Sequence, residues 1–157
     1  MVRHNGHGHW RQVVEAGDHL VKLSGLLYAP QWASSRNKLN GKGVYLSRSW
    51  SKLLKEDNPY IVYGWPDMKT VPVEEVHGLV LFLVRLMKMG IVPEIACIGG
   101  HGRTGTLYSC LLVYLEGLTP RQAVIRTWNN YCESAVETLG QMKLVYKYGK
   151  YLESKKV

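Results

Sequence analysis

The chain has 157 residues, 46% hydrophobic and 20% charged, with 20 Lys and Arg against 12 Asp and Glu for a formal net charge of +8. That length and apolar content fit one domain, 1–157, with a core of its own, and exclude a disordered tail or a disulfide-stapled miniprotein. The excess of positive charge suits anionic partners such as phosphoproteins, phospholipids or nucleic acid.

Three cysteines, Cys97, Cys110 and Cys132, follow no disulfide-framework spacing and fit a reducing compartment with at least one free thiol. Each taken singly is as readily a small buried hydrophobe. The longest apolar run, LVLFLV at 79–84, is far too short to span a bilayer. No signal-peptide pattern opens the chain, so a cytoplasmic protein without a membrane span is expected.

The first ten residues, MVRHNGHGHW, show no periodicity, and 1–16 is expected to be a flexible terminus rather than a metal site built from His4, His7 and His9. From 17 to 42 short apolar pieces alternate with Gly, Pro, Ser and Asn, which predicts short strands and loops. GVYLS (43–47) and PYIVYG (59–64) are β-branched and aromatic runs bounded by turn formers, and predict buried strands.

A helix is predicted over 72–89, with Pro72 in its first turn, Glu74 and Glu75 behind it, and basic residues before Gly90. PEIACI (93–98) reads as a strand. TGTLYSCLLVYLEG (104–117) reads as a helix with Leu107, Leu111, Leu112 and Leu115 at helical spacing and Gly117 as its stop. Thr119 as N-cap and Pro120 at the first helical position open another over 119–130, and a basic amphipathic helix from 137 closes the chain. Val44, Ile61, Val84, Leu86, Leu111, Leu112 and Val145 are candidate core. Strand and helix alternate from 43 to 117, which predicts an α/β fold: a central, largely parallel sheet flanked by helices on both faces.

The stretch EIACIGGHGRTGT (94–106) joins a strand to a helix through a glycine-rich bridge. Successive N–H groups of Ile98, Gly99, Gly100, His101, Gly102 and Arg103, curled at a helix N-terminus, form a cradle for a phosphate-sized anion. Gly99, Gly100 and Gly102 permit the tight backbone that the curl demands. The same field, beside a fixed cation, favours thiolate over thiol at Cys97. Arg103 offers a planar fork for two phosphoryl oxygens, and Thr104 is placed to hydrogen-bond the sulfur.

A thiolate under a phosphate implies transfer of the phosphoryl group to sulfur, and the departing oxygen then needs a proton. GWPDMKT (64–70) presents one carboxyl, Asp67, behind a stiff Trp65 and Pro66. Alone, Asp67 reads as a turn residue after a strand; thirty residues ahead of the cysteine loop it reads as the acid.

WPD at 65–67 together with CIGGHGRTG at 97–105 strongly resembles the cysteine-dependent protein tyrosine phosphatases, in their compact dual-specificity-like or single-domain microbial and viral forms. VETLGQ (136–141) resembles their glutamine loop, and the resemblance covers about residues 43–150. It implies a cysteine loop lying between a strand and a helix, with Cys97 as nucleophile, Asp67 as general acid and then base, and Arg103 as the clamp on the phosphoryl group. Thr104 supports the leaving thiolate, and Gln141 and Glu137 stand at the water-positioning loop. No metal or other cofactor is implied, because Arg103 and the loop amides supply the electrostatic stabilisation.

The pattern departs from the family at two places: Ala96 stands where a histidine usually precedes the cysteine, and Glu137 where the first glutamine is expected. His101 occupies a variable position, as a substrate-facing cation or a solvent-facing bystander, and Trp65 serves as hinge packing or a substrate contact. The expected activity is hydrolysis of phosphotyrosine, with phosphoserine or phosphothreonine beside it, in a phosphorylated protein by a monomer with no stable nucleic-acid partner. A phosphoinositide phosphatase is the nearer competitor. An RNA 5′-phosphatase is disfavoured by Asp67, and a non-catalytic phosphate-binding module by Cys97, Asp67 and Arg103 together. An oxidisable Cys97 would find its nearest thiol in sequence at Cys110, where buried packing is the simpler reading.

Overall fold

The computed structural model describes residues 10–30, 33 and 39–156; the candidate metal ligands His4, His7 and His9 lie outside the described residues. In chain order the elements are β1 (Gln12–Ala16), β2 (His19–Gly25), β3 (Gly43–Tyr45), β4 (Tyr60–Val62), α1 (Val73–Lys88), β5 (Glu94–Cys97), α2 (Gly102–Glu116), α3 (Pro120–Asn130) and α4 (Leu139–Ser154). The strands form one sheet in the order β1-β2-β5-β3-β4. β2, β5, β3 and β4 run parallel and β1 is antiparallel to β2. The sheet is therefore largely parallel, as the alternation of strand and helix predicts. Part of the segment 1–16, expected as a flexible terminus, is the paired edge strand β1; its Val13 and Glu15 face solvent while Val14 and Ala16 are buried.

Period-two alternation sends neighbouring side chains of the central strands into two separate cores. Val44, Ile95 and Cys97 join the larger core with Leu83, Val84, Leu111, Leu112 and Val145, under the four α-helices. Tyr45 and Ala96 point the other way, to Trp50 and Leu54, so that face is covered by shorter pieces, including the 3-10 turn Arg48–Trp50. Each large apolar side chain so buried contributes about 1.5–3 kcal/mol. Of the candidate core residues Ile61 alone is only partly buried, packed against the larger core from β4.

Local chemistry sets the helix ends. Pro72 sits one residue before α1 rather than inside it, with Glu74 and Glu75 in the first turn and Arg85 and Lys88 in the last. Gly117, at φ 64°, ends α2 in the left-handed region as its stop position requires. Thr119 opens α3 with a full capping box closed by Gln122, and Thr138 opens α4 with another closed by Gln141.

At the amino end of β5 one acidic residue lies inside the protein. Glu94 is 2% exposed. It receives Arg11 Nε at 2.9 Å, Tyr45 Oη at 2.6 Å and the Ser24 hydroxyl. Burial and the Glu94 charge push the Tyr45 phenol far up, so it stays a donor. The network ties β2, β3 and β5 to the residue preceding β1.

Candidate active site

Cys97 is the last residue of β5, and Arg103 the second of α2. The four residues between strand and helix turn the chain through the Cys97 side chain itself. Gly100 N–H donates to Cys97 Sγ at 3.2 Å and Thr104 Oγ1 lies 3.0 Å from the same sulfur. Gly100 holds φ at 78°, which a side chain would strain. The loop also presses on β2: a Cβ at Gly25 would stand 2.6 Å from the Gly99 carbonyl carbon, so the last residue of β2 must be glycine for the curl to close. Trp50 Nε1 donates to the Cys97 carbonyl at 3.2 Å and fixes the strand end.

Arg103 is 5% exposed. Its Nη1 donates to the backbone carbonyls of Leu46 (3.2 Å) and Trp65 (2.8 Å), which aims the guanidinium from the carboxyl ends of the parallel strands. Nη2 lies 3.6 Å from Asp67 Oδ1. Arg103 Nε is buried with no hydrogen-bond partner among the described residues.

Trp65 is buried in the larger core, and its indole donates to the Lys69 carbonyl at 2.7 Å, closing the turn that lifts Asp67 outward. Trp65 is thus packing. The Asp67 side chain is 71% exposed at the rim, facing the guanidinium. Met68 beside it adopts φ 62°, a conformation costly for a residue with a side chain.

A segment far along the chain wraps the cradle. Tyr131 Oη donates to the Gly100 carbonyl, Cys132 Sγ lies 3.3 Å from His101 Nδ1, and Glu137 Oε1 accepts the Gly102 N–H at 2.8 Å. Three consecutive loop residues are therefore each held by residues 131–137, and His101 meets the protein rather than only solvent. Burial pushes the Tyr131 phenol well up, so it remains a donor.

Gln141 is fully buried, and its Oε1 accepts the backbone N–H of Glu137 (3.0 Å) and Thr138 (3.3 Å). Its Nε2 is buried without a partner among the described residues. Glu137 and Gln141 thus converge on Gly102: a Cβ there would meet Glu137 Oε1 at 2.7 Å and Gln141 Oε1 at 2.9 Å.

All three cysteines are free. Cys110 packs in the larger core, where burial pushes its thiol far up, in keeping with its reading as packing. Burial also raises the Cys132 thiol. The structure thus brings together Cys97, Arg103, Thr104, Asp67, Glu137 and Gln141 around Ile98, Gly99, Gly100, His101 and Gly102. Sequence reasoning misses Gly25, Trp50, Tyr131 and Cys132. Gly25 alone carried a local signal, a glycine closing an apolar run.

No family model matches the chain. Over 86 residues it is 43% identical to the uncharacterized protein MJ0215 of Methanocaldococcus jannaschii, covering 55% of this chain and 49% of that one. A second protein of that organism, the uncharacterized protein MJECL20, is 37% identical over 86 residues, covering 55% and 53%. Protein tyrosine phosphatase domain-containing protein 1 of Bos taurus is 30% identical over 90 residues, which are 57% of this chain and 11% of that protein. The chain spans about half, or much less, of the length of these relatives.

Among solved structures, a mutant form of Tk-PTP superposes with TM-score 0.73 at 20% identity, covering 90% of this chain and 97% of that one. PTPMT1 in complex with PI(5)P gives 0.70 at 16%, covering 90% and 97%. Human DUSP28 gives 0.68 at 13%, covering 85% and 94%. The chain, with its largely parallel sheet delivering a cysteine into a CIGGHGR loop at a helix N-terminus, has the fold of the dual-specificity and protein tyrosine phosphatases.

Proposed function

We propose that this chain hydrolyses phosphomonoesters through a cysteinyl-phosphate intermediate. The observation that carries the reading is the double hydrogen bond to Cys97 Sγ, from Gly100 N–H and Thr104 Oγ1, at the floor of a loop that also presents Arg103. Two donors aimed at the sulfur suit a group that attacks phosphorus and later departs with the bonding electron pair.

In the first step Cys97 Sγ attacks phosphorus, the S–P bond forms and the bond to the leaving oxygen breaks. The Asp67 carboxyl gives that oxygen its proton. Arg103 and the amides of 98–103 hold the remaining oxygens as charge spreads over them. In the second step the Asp67 carboxylate takes a proton from water, the water oxygen attacks phosphorus, and the sulfur leaves as thiolate toward Thr104. Gln141, whose Oε1 holds the Glu137 and Thr138 N–H groups, fixes the loop beside which that water is placed.

The reading extends to phosphotyrosine in proteins, with phosphoserine and phosphothreonine as further substrates. A positioned acid matters for such poor leaving groups and little for phosphoanhydrides. One neighbour of the same fold was solved with PI(5)P, which makes a phosphoinositide the second reading. Turnover of a matched panel tests both: phosphotyrosine and phosphoserine peptides, dispersed phosphoinositides and 5′-triphosphorylated RNA. Peptide turnover exceeding the rest supports the protein-directed reading. Dominant phosphoinositide turnover replaces it with the second, and absence of turnover on every arm overturns the enzyme.

A further inference from the structure

The three later helices differ in what covers their amino ends. α3 and α4 are closed by threonines of their own, Thr119 and Thr138, each in a reciprocal capping box. The residue at the start of α2, His101, makes no side-chain cap. Instead the Gly102 N–H is taken by Glu137 Oε1 at 2.8 Å, from 35 residues away. That N–H belongs to the cradle in which the phosphoryl oxygens are proposed to sit.

The approach of Glu137 is built rather than incidental. Val136 just before it is buried in the larger core and adopts φ 57°, a conformation rare and costly for a β-branched residue. Gln141 Oε1 holds the Glu137 backbone N–H from behind at 3.0 Å. A side chain at Gly102 or Gly105 would collide with this segment, at 2.7 Å and 2.5 Å respectively, so both glycines let it approach. Glu137 itself is exposed, so its carboxylate can swing away into water.

We infer that Glu137 is an internal competitor of phosphate: its carboxylate occupies the Gly102 N–H and must leave before a phosphoryl oxygen can take it. This rests on the proposed phosphatase reading and adds to it a residue that sets the affinity of the cradle. Two anions cannot share one N–H, and like charges a few ångströms apart in a partly buried site repel strongly. Glu137 is accordingly a positioning residue. It tunes how strongly the loop holds substrate and how readily inorganic phosphate departs.

The test is binding of tungstate and inorganic phosphate to the full chain, by competition against an aryl phosphate and by calorimetry in a Cys97→Ser background. Glu137→Gln, which keeps an acceptor for Gly102 N–H but removes the charge, should bind tungstate about tenfold tighter. Glu137→Ala should gain at least as much, with KM for the aryl phosphate falling in step. A carboxylate serving only as a helix cap would lower the melting temperature of Glu137→Ala without improving oxyanion affinity. Unchanged or weaker tungstate binding in both variants therefore overturns the inference. Cys97-dependent turnover with that result leaves the phosphatase reading intact. Lack of oxyanion binding by wild type and both variants overturns the two together.

Discussion

The two ends of β5 both place ionisable groups inside the protein, and they treat them oppositely. At the amino end Glu94 is satisfied entirely from within by Arg11, Ser24 and Tyr45. Beyond the carboxyl end, which is three residues along the strand at Cys97, Arg103 keeps a buried Nε and Gln141 a buried Nε2 with no partner among the described residues. A closed polar network adds cohesion to the strands it joins, whereas a buried donor without a partner carries an unrecovered desolvation cost. If the first serves stability and the second the proposed chemistry, substitutions at the two ends should separate those properties.

The largest expected effect is at Cys97. Cys97→Ser should abolish turnover of an aryl phosphate while shifting stability by only about 1 kcal/mol, since the fold keeps its loop. Calorimetry should still detect oxyanion binding. Arg103→Lys should lose both turnover and binding, because an ammonium cannot reproduce the planar fork held by Leu46 and Trp65. Retention of near wild-type rate in Cys97→Ser would break the assignment of chemistry to this end.

Next is Asp67, 71% exposed and 3.6 Å from the guanidinium. Asp67→Asn should slow hydrolysis of tyrosyl and alkyl phosphates by about 10²- to 10⁴-fold and matter far less for an activated aryl phosphate with a low leaving-group pKa. Equal slowing of both would make Asp67 a turn residue. Its unfolding free energy should stay within about 0.5 kcal/mol of wild type, as for other exposed positions.

At the opposite end the pattern reverses. Glu94→Ala leaves Arg11, Ser24 and Tyr45 without their acceptor and should cost about 3–5 kcal/mol in denaturant unfolding. Tyr45→Phe removes one of the donors and should cost about 1–2 kcal/mol. The kcat of Tyr45→Phe should remain close to wild type, measured well below its melting temperature. A large loss of activity in a stably folded Tyr45→Phe would show that the two ends are coupled.

What the sequence made legible at each end follows from range. The strand, glycine bridge and helix around Cys97, the stop at Gly117 and the Thr119 cap are set by residues within a few positions of one another, and all stand where local chemistry puts them. The Glu94 network joins residues 49 to 83 positions apart, and no local pattern announces it. β1 likewise depends on pairing with β2, because a half-polar QVVEA run bordering a His- and Gly-rich terminus has little strand signal of its own. The wrap of 131–137 over the cradle was legible only at Glu137 and Gln141, through their resemblance to a known loop. Tyr131 and Cys132 reach Gly100 and His101 across 31 residues.

The central claim is that Cys97 carries the phosphoryl group between the two steps. Rapid acid quench of the enzyme during turnover of an aryl phosphate, followed by peptide mapping and mass spectrometry, reads this directly. The expected result is one phosphoryl group on the peptide containing Cys97, formed within the first turnover and absent from Cys97→Ser. Steady turnover with Cys97 unmodified at every quench time, or a phosphoryl group trapped on a different residue, would contradict it.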